Sequence, residues 1–229
     1  VCYCLCRMHQ HFRTLLTVLD ALSPDNGVPL PRRPLVVDVA CGPGTATLGL
    51  AEWLARREGG AVSFSCVGID ASSELLLIAD QFLSDPALFG PAPRHLFFTS
   101  VNQISAADIV SAAHGCDGVV YLLSYLLHQP SIMSMLRHIF SLVVSQTMMP
   151  DTWLVLQDAN YPDKPAAGID IWPNSRVNQL SSFTESLGYD IDSWGCLLPS
   201  VHAFVSLNWD VEESPGAPRG VYALFQRIR

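Results

Sequence analysis

The residues able to do chemistry are concentrated in one stretch, Val36-Val37-Asp38-Val39-Ala40-Cys41-Gly42-Pro43-Gly44-Thr45-Ala46. An apolar run of the kind buried on both faces of a sheet passes into a glycine turn and then opens a helix. Gly42 and Gly44 permit backbone angles and a close approach that a side chain would forbid. The helix start behind them offers unpaired N–H groups and the positive end of a dipole, which suit a carboxylate or a phosphate. One strand–helix–strand unit later, Asp70 ends the next apolar run, where its carboxylate can accept both hydroxyls of a ribose. The glycine turn alone is common to several nucleotide-binding folds. With Asp70 it predicts a site for an adenosine-containing ligand.

The elements that must hold these residues alternate along the chain. Residues 5–22 carry a helical stripe of Leu5, Met8, Phe12, Leu15, Leu16, Leu19 and Leu22, stopped by Ser23-Pro24-Asp25-Asn26-Gly27. Buried strands are expected at 35–40, 62–69, 95–101, 118–123 and 153–157. Helices are expected at 46–57, at 131–147, and after a Ser72 or Ser73 cap. Such alternation implies right-handed crossovers and a parallel sheet covered on both faces. The end of the chain differs. A helix over 174–187, with Gly188 as its stop, precedes strands at 200–209 and 221–228, which a hairpin loop at 212–216 would join as an antiparallel pair.

Asp38-Val39-Ala40-Cys41-Gly42-Pro43-Gly44-Thr45 resembles the first motif of the class I S-adenosylmethionine-dependent methyltransferases, and Val67-Gly68-Ile69-Asp70-Ala71-Ser72 resembles their second. The runs 117–128 and 153–158 are similar to that family's fourth and fifth strands by position. The resemblance covers residues 33–229. It implies an α/β fold, a seven-stranded, mostly parallel, doubly wound sheet with the antiparallel C-terminal pair. The N-terminal helix and connector would occupy residues 1–30 and the methyltransferase-like domain residues 31–229. It further implies that Ala40, Gly42 and Gly44 contact the methionine part of S-adenosylmethionine, with Asp38 near its amino group. Asp70 and Ala71 would hold the ribose, Asn102 would meet the adenine edge, and Ser124 would end the strand beside the methyl group. His128, which follows that strand, is the candidate catalytic base. Two departures from the family pattern stand out: Ala40 replaces the usual first glycine, and no acid follows the third strand in Thr99-Ser100-Val101-Asn102. A nicotinamide dinucleotide, the rival ligand, would want a third glycine where Thr47 stands.

The implied activity is methyl transfer to an unidentified acceptor. The alternative is a catalytically inactive protein of the same fold that binds the cofactor or a partner as an assembly or regulatory subunit. Net charge is −8 and Lys164 is the single lysine among 13 basic residues, so a small molecule or a protein is favoured as acceptor over nucleic acid. The N-terminal helix is a candidate surface for a second copy or a partner subunit. Cys2, Cys4, Cys6, His9 and His11 could suggest a metal, but cysteine packs well as a small hydrophobe, and no metal is expected. The longest clean apolar stretch is too short to span a membrane, and no secretory signal is visible. Seven irregularly spaced cysteines fit a reducing compartment, so the expected location is cytoplasmic.

Overall fold

The computed structural model describes residues 8–22, 30–85, 89, 94–124, 126, 132–147, 149, 151–159 and 220–226. Their elements run α1 (His9–Leu22), β1 (Pro34–Val39), α2 (Thr45–Glu58), β2 (Ser65–Ile69), α3 (Ser73–Leu83) and β3 (His95–Phe98). A single 3-10 turn (Val101–Gln103) follows, then α4 (Ala106–Ala113), β4 (Gly118–Ser124), α5 (Ile132–Gln146), β5 (Asp151–Ala159) and β6 (Gly220–Gln226). The sheet order is β3-β2-β1-β4-β5-β6. The first five strands are parallel, and β6 lies antiparallel to β5. The chain therefore winds outward from β1 through β2 to β3, then crosses back to β4. That reversal opens a crevice at the carboxyl ends of β1 and β4, the place where open sheets of this kind bind ligands.

Alternation along each strand sorts side chains between two cores. Leu35, Val37 and Val39 of β1 join Tyr121 and Leu123 of β4 on one face, beneath Ile109 of α4 and Leu136, Ile139 and Phe140 of α5. Val36, Val120 and Leu122 point to the other face, where Leu15 and Leu19 of α1 pack with Leu50 and Leu54 of α2. A strand side-chain period of two puts Asp38 on the face of Val36, toward α2. In register, Asp38 lies between Gly68 of β2 and Leu122 of β4. Gly68 has a packing reason to lack a side chain. A Cβ there would sit 2.6 Å from the Phe97 ring and 3.1 Å from the Cys41 sulfur, so the turn after β1 settles directly onto β2.

Three differences from the sequence expectations have physical causes. The strand expected over 95–101 ends at Phe98, because Ser100 caps the 3-10 turn with a reciprocal Gln103 bond to its own amide. The strand expected from residue 62 begins at Ser65, while Val62 makes an isolated parallel bridge to Phe89. Helix α4 was not expected at all. Among the described residues the sheet has six strands rather than seven. Expected elements at 174–187 and 200–209 lie outside the described residues, as do residues 1–7. Among the described residues, no helix is long and apolar enough to cross a membrane, and no group of three or more His, Cys, Asp or Glu is arranged to hold a metal ion.

Candidate ligand site

The turn after β1 alternates left-handed backbone positions: Ala40 at φ 57°, Gly42 at φ 54° and Gly44 at φ 79°. The Cys41 amide donates to the Ile69 carbonyl at 3.0 Å and the Gly44 amide to the Cys41 carbonyl at 2.9 Å, which folds the turn back over β2. Asp70 locks it from the other side. Its Oδ2 accepts the Gly42 amide at 2.9 Å, and its Oδ1 accepts the Ser72 amide at 2.9 Å. One carboxylate thus ties the β1–α2 turn to the β2–α3 turn, and each oxygen keeps a further lone pair for a ligand hydroxyl.

Ala40 is a strained departure. It occupies the left-handed region with a Cβ, where a non-glycine residue costs about 1–2 kcal/mol. Ala40→Gly is therefore expected to stabilise the chain by up to about 1 kcal/mol, the strain relief less the extra chain entropy of glycine. Urea unfolding of the two forms checks this; equal midpoints would mean that the turn holds Ala40 without strain.

Helix α2 starts on Gly44, which has no side chain to cap it. Three other helical segments carry serine caps: Ser72 on α3, Ser100 on the 3-10 turn and Ser105 on α4. Gly44 thus gives the first-turn N–H groups of α2 no acceptor of its own, and the Thr47 amide in that turn donates to the Asp38 carboxylate instead.

At this corner lies a cavity of about 190 Å³. Asp38, Ala40, Gly42, Asp70 and Ser124 line it, as do Thr45 of α2 and His11 of α1. Asp38 is 1% exposed. Its Oδ2 accepts the Thr47 hydroxyl at 2.7 Å, whereas its Oδ1 has no hydrogen-bond partner in the protein. Burial pushes the Asp38 carboxyl up to about 7, with hydrogen bonds from Thr47 pulling the other way and the Asp70 charge adding to the rise. The Thr45 hydroxyl is likewise buried without a partner. Leaving such groups unpaired costs about 1–3 kcal/mol each. The cavity wall thus holds one unsatisfied acid and one unsatisfied hydroxyl, which a ligand bearing both a cation and an anion would pair. The Cys41 and Cys66 thiols beside it are buried, and burial holds both well above the ordinary thiol range, so neither is a nucleophile.

The remaining expected site residues divide. Gly44 shapes the turn without lining the cavity, and Ala71 is exposed beside it. Asn102 is exposed in the 3-10 turn, its amide donating to the Ser100 hydroxyl, and does not line the cavity. His128 lies outside the described residues. Sequence reading missed Thr45 and Thr47 as polar partners and set His11 aside as a metal candidate.

The five parallel strands in the order β3-β2-β1-β4-β5, closed by an antiparallel β6, decide the architecture. The fold is Rossmann-like α/β, with a methyltransferase-like sheet. No protein-family model matches the sequence, and no curated protein matches it. Solved structures do. One is a SAM-dependent methyltransferase from Methanosarcina mazei, 20% identical, with a TM-score of 0.36, matched over 55% of this chain and 53% of that one. Another is the magnesium protoporphyrin IX methyltransferase of Synechocystis with bound SAH, 17% identical, with a TM-score of 0.39 over 76% of this chain and 71% of that one. A third belongs to the complex of the Haloferax volcanii Trm112 methyltransferase activator with a candidate methyltransferase. It is 15% identical, with a TM-score of 0.49 over 96% of this chain and 91% of that one. The chain spans about half the length of the Methanosarcina protein.

Proposed function

We propose that this chain binds S-adenosylmethionine and transfers its methyl group to an acceptor. The observation that carries the reading is the wholly buried Asp38 carboxylate, whose Oδ1 has no protein partner while its residue lines the cavity behind the glycine turn. An ammonium group is the partner such an oxygen lacks, and the Thr45 hydroxyl with the uncapped start of α2 suits the neighbouring carboxylate of an amino acid. Asp70 can accept from a ribose with its remaining lone pairs. At about 190 Å³ the half-open space suits the amino-acid end of the ligand, with the nucleoside continuing past Asp70 and Leu75. These residues therefore fit the cofactor.

When bound, the sulfonium supplies an already activated methyl group. The chain's task is then alignment: Asp38 and Thr45 hold one end of the cofactor, Asp70 holds the other, and Ser124 at the end of β4 borders the reacting face. A base is needed only if the acceptor must lose a proton, and His128 is the proposed group for that step. The acidic net charge favours a small-molecule or protein acceptor over nucleic acid. The free thiols Cys41, Cys66 and Cys116 suit a reducing, cytoplasmic setting.

A dinucleotide is disfavoured because Thr47 does a different job at the position of the third glycine, donating to Asp38. Isothermal titration with S-adenosylmethionine, its demethylated product SAH and NAD is expected to give binding of the first two in preference to the third. Tight NAD binding without either sulfur ligand would overturn the reading. Transfer of a labelled methyl group to fractionated acceptors then separates an enzyme from an inactive binding subunit.

A further inference from the structure

Helix α1 is joined to the site by one residue that the proposed chemistry does not use. His11 lines the same cavity as Asp38, Thr45 and Ser124, all of which come from the sheet or from α2. One helical turn further along α1, Leu15 is 1% exposed and lies against Gly49 of α2. A Cβ on Gly49 would come within 3.0 Å of the Leu15 side chain, so the glycine is what lets the two helices approach this closely. Residues four apart share a face of a helix, and the Leu15–Gly49 contact therefore sets where His11 sits. At about 190 Å³ the space is small for a ligand pocket, so a ligand group that fills it meets the wall to which His11 of α1 contributes.

We infer that α1 is a wall of the ligand site: His11 contacts the amino-acid end of the bound cofactor, and ligand binding is coupled to the docking of α1 on α2. The inference rests on the proposed function and goes beyond it by making the N-terminal helix part of the binding machinery. A ligand that binds only the docked arrangement must stabilise that arrangement by the same free energy that docking contributes to binding. Leu15 acts here as a positioning residue and His11 as a binding residue.

The experiment uses the full chain and SAH as the probe. His11→Ala is expected to raise the dissociation constant roughly 3- to 10-fold, the effect of one hydrogen bond. Leu15→Ala, which removes packing at the α1–α2 contact, is expected to raise it several-fold. In the Leu15→Ala background, His11→Ala should then add less than about twofold, because the imidazole is no longer held in place. SAH should also slow amide exchange in α1 of the unaltered chain, a readout that needs no variant to fold. Binding of SAH with unchanged affinity in His11→Ala and unchanged exchange in α1 would overturn the inference and leave the proposed function standing. Absence of SAH binding by the unaltered chain would overturn both.

Discussion

Asn in place of Asp38 is expected to weaken SAH binding by about 10- to 150-fold, the worth of a hydrogen bond to a charged group, and at the same time to stabilise the free protein near neutral pH. The two effects share one cause. Buried without a cation, the carboxylate is held at about 7 against an ordinary 3.8. The folded state therefore keeps a proton that the unfolded state releases across that window. Stability from this group is complete below about 3.8 and is lost as pH rises through about 7, a total of about 4 kcal/mol at about 1.4 kcal/mol per pH unit. Asparagine keeps an acceptor for the Thr47 hydroxyl but has no proton to lose. The variant's urea midpoint should thus lack the decline between about pH 4 and 7 that this carboxylate gives the unaltered chain. His95, pushed down to about 4 from 6.5 by burial, works in the opposite sense and costs stability as pH falls through that range. The difference between variant and unaltered chain cancels it. A ligand ammonium reverses the argument for binding, since pairing favours the ionised carboxylate. SAH affinity should rise with pH toward about 7, with proton release measurable by calorimetry in buffers of different ionisation enthalpy. Parallel pH profiles for the two proteins would remove Asp38 from the site.

Alanine in place of Asp70 is expected to cost about 1.5–3 kcal/mol of cofactor affinity and, separately, about 1–3 kcal/mol of stability. In the sequence Asp70 reads only as a ribose-binding acid at a strand end. The structure alters that expectation, because the carboxylate accepts the Gly42 and Ser72 amides and thereby joins the two turns. Asp70→Asn distinguishes the roles. Its amide nitrogen must face one of those N–H donors, so the turn should loosen even where one acceptor remains. Titration and unfolding measured on both variants would show whether affinity and stability fall together. An unchanged dissociation constant with lowered stability would make Asp70 a turn lock alone.

The parallel strands are legible because each is a short apolar run closed by a turn residue, and the site is legible because Asp38, Gly42, Gly44 and Asp70 sit at strand ends. What sequence could not supply is the third dimension between elements. Thr47 reads as a missing glycine in a linear motif, yet the first turn of α2 sets it over β1 as the donor to Asp38. His11 reads as a discounted metal candidate beside an apolar stripe, since periodicity gives a helix its buried face without saying what that face meets. Helix α4 escapes because only eight residues, Ala106–Ala113, form it and two of them, Ile109 and Ala112, are buried. Its signal was the reciprocal Ser105 and Asp108 cap rather than hydrophobic spacing.

Gly44 at the start of α2 sets a limit on engineering. A designer seeking thermal tolerance would first supply the missing cap, because serine or aspartate at a helix start commonly adds stability. Here the left-handed backbone at φ 79° strains any such residue, and its side-chain oxygen would compete for the amide donors that a bound carboxylate would use. Hardening this helix and keeping the ligand are opposed goals. The safer positions for stabilising changes lie at the amino ends of the parallel strands, away from the crevice at their carboxyl ends.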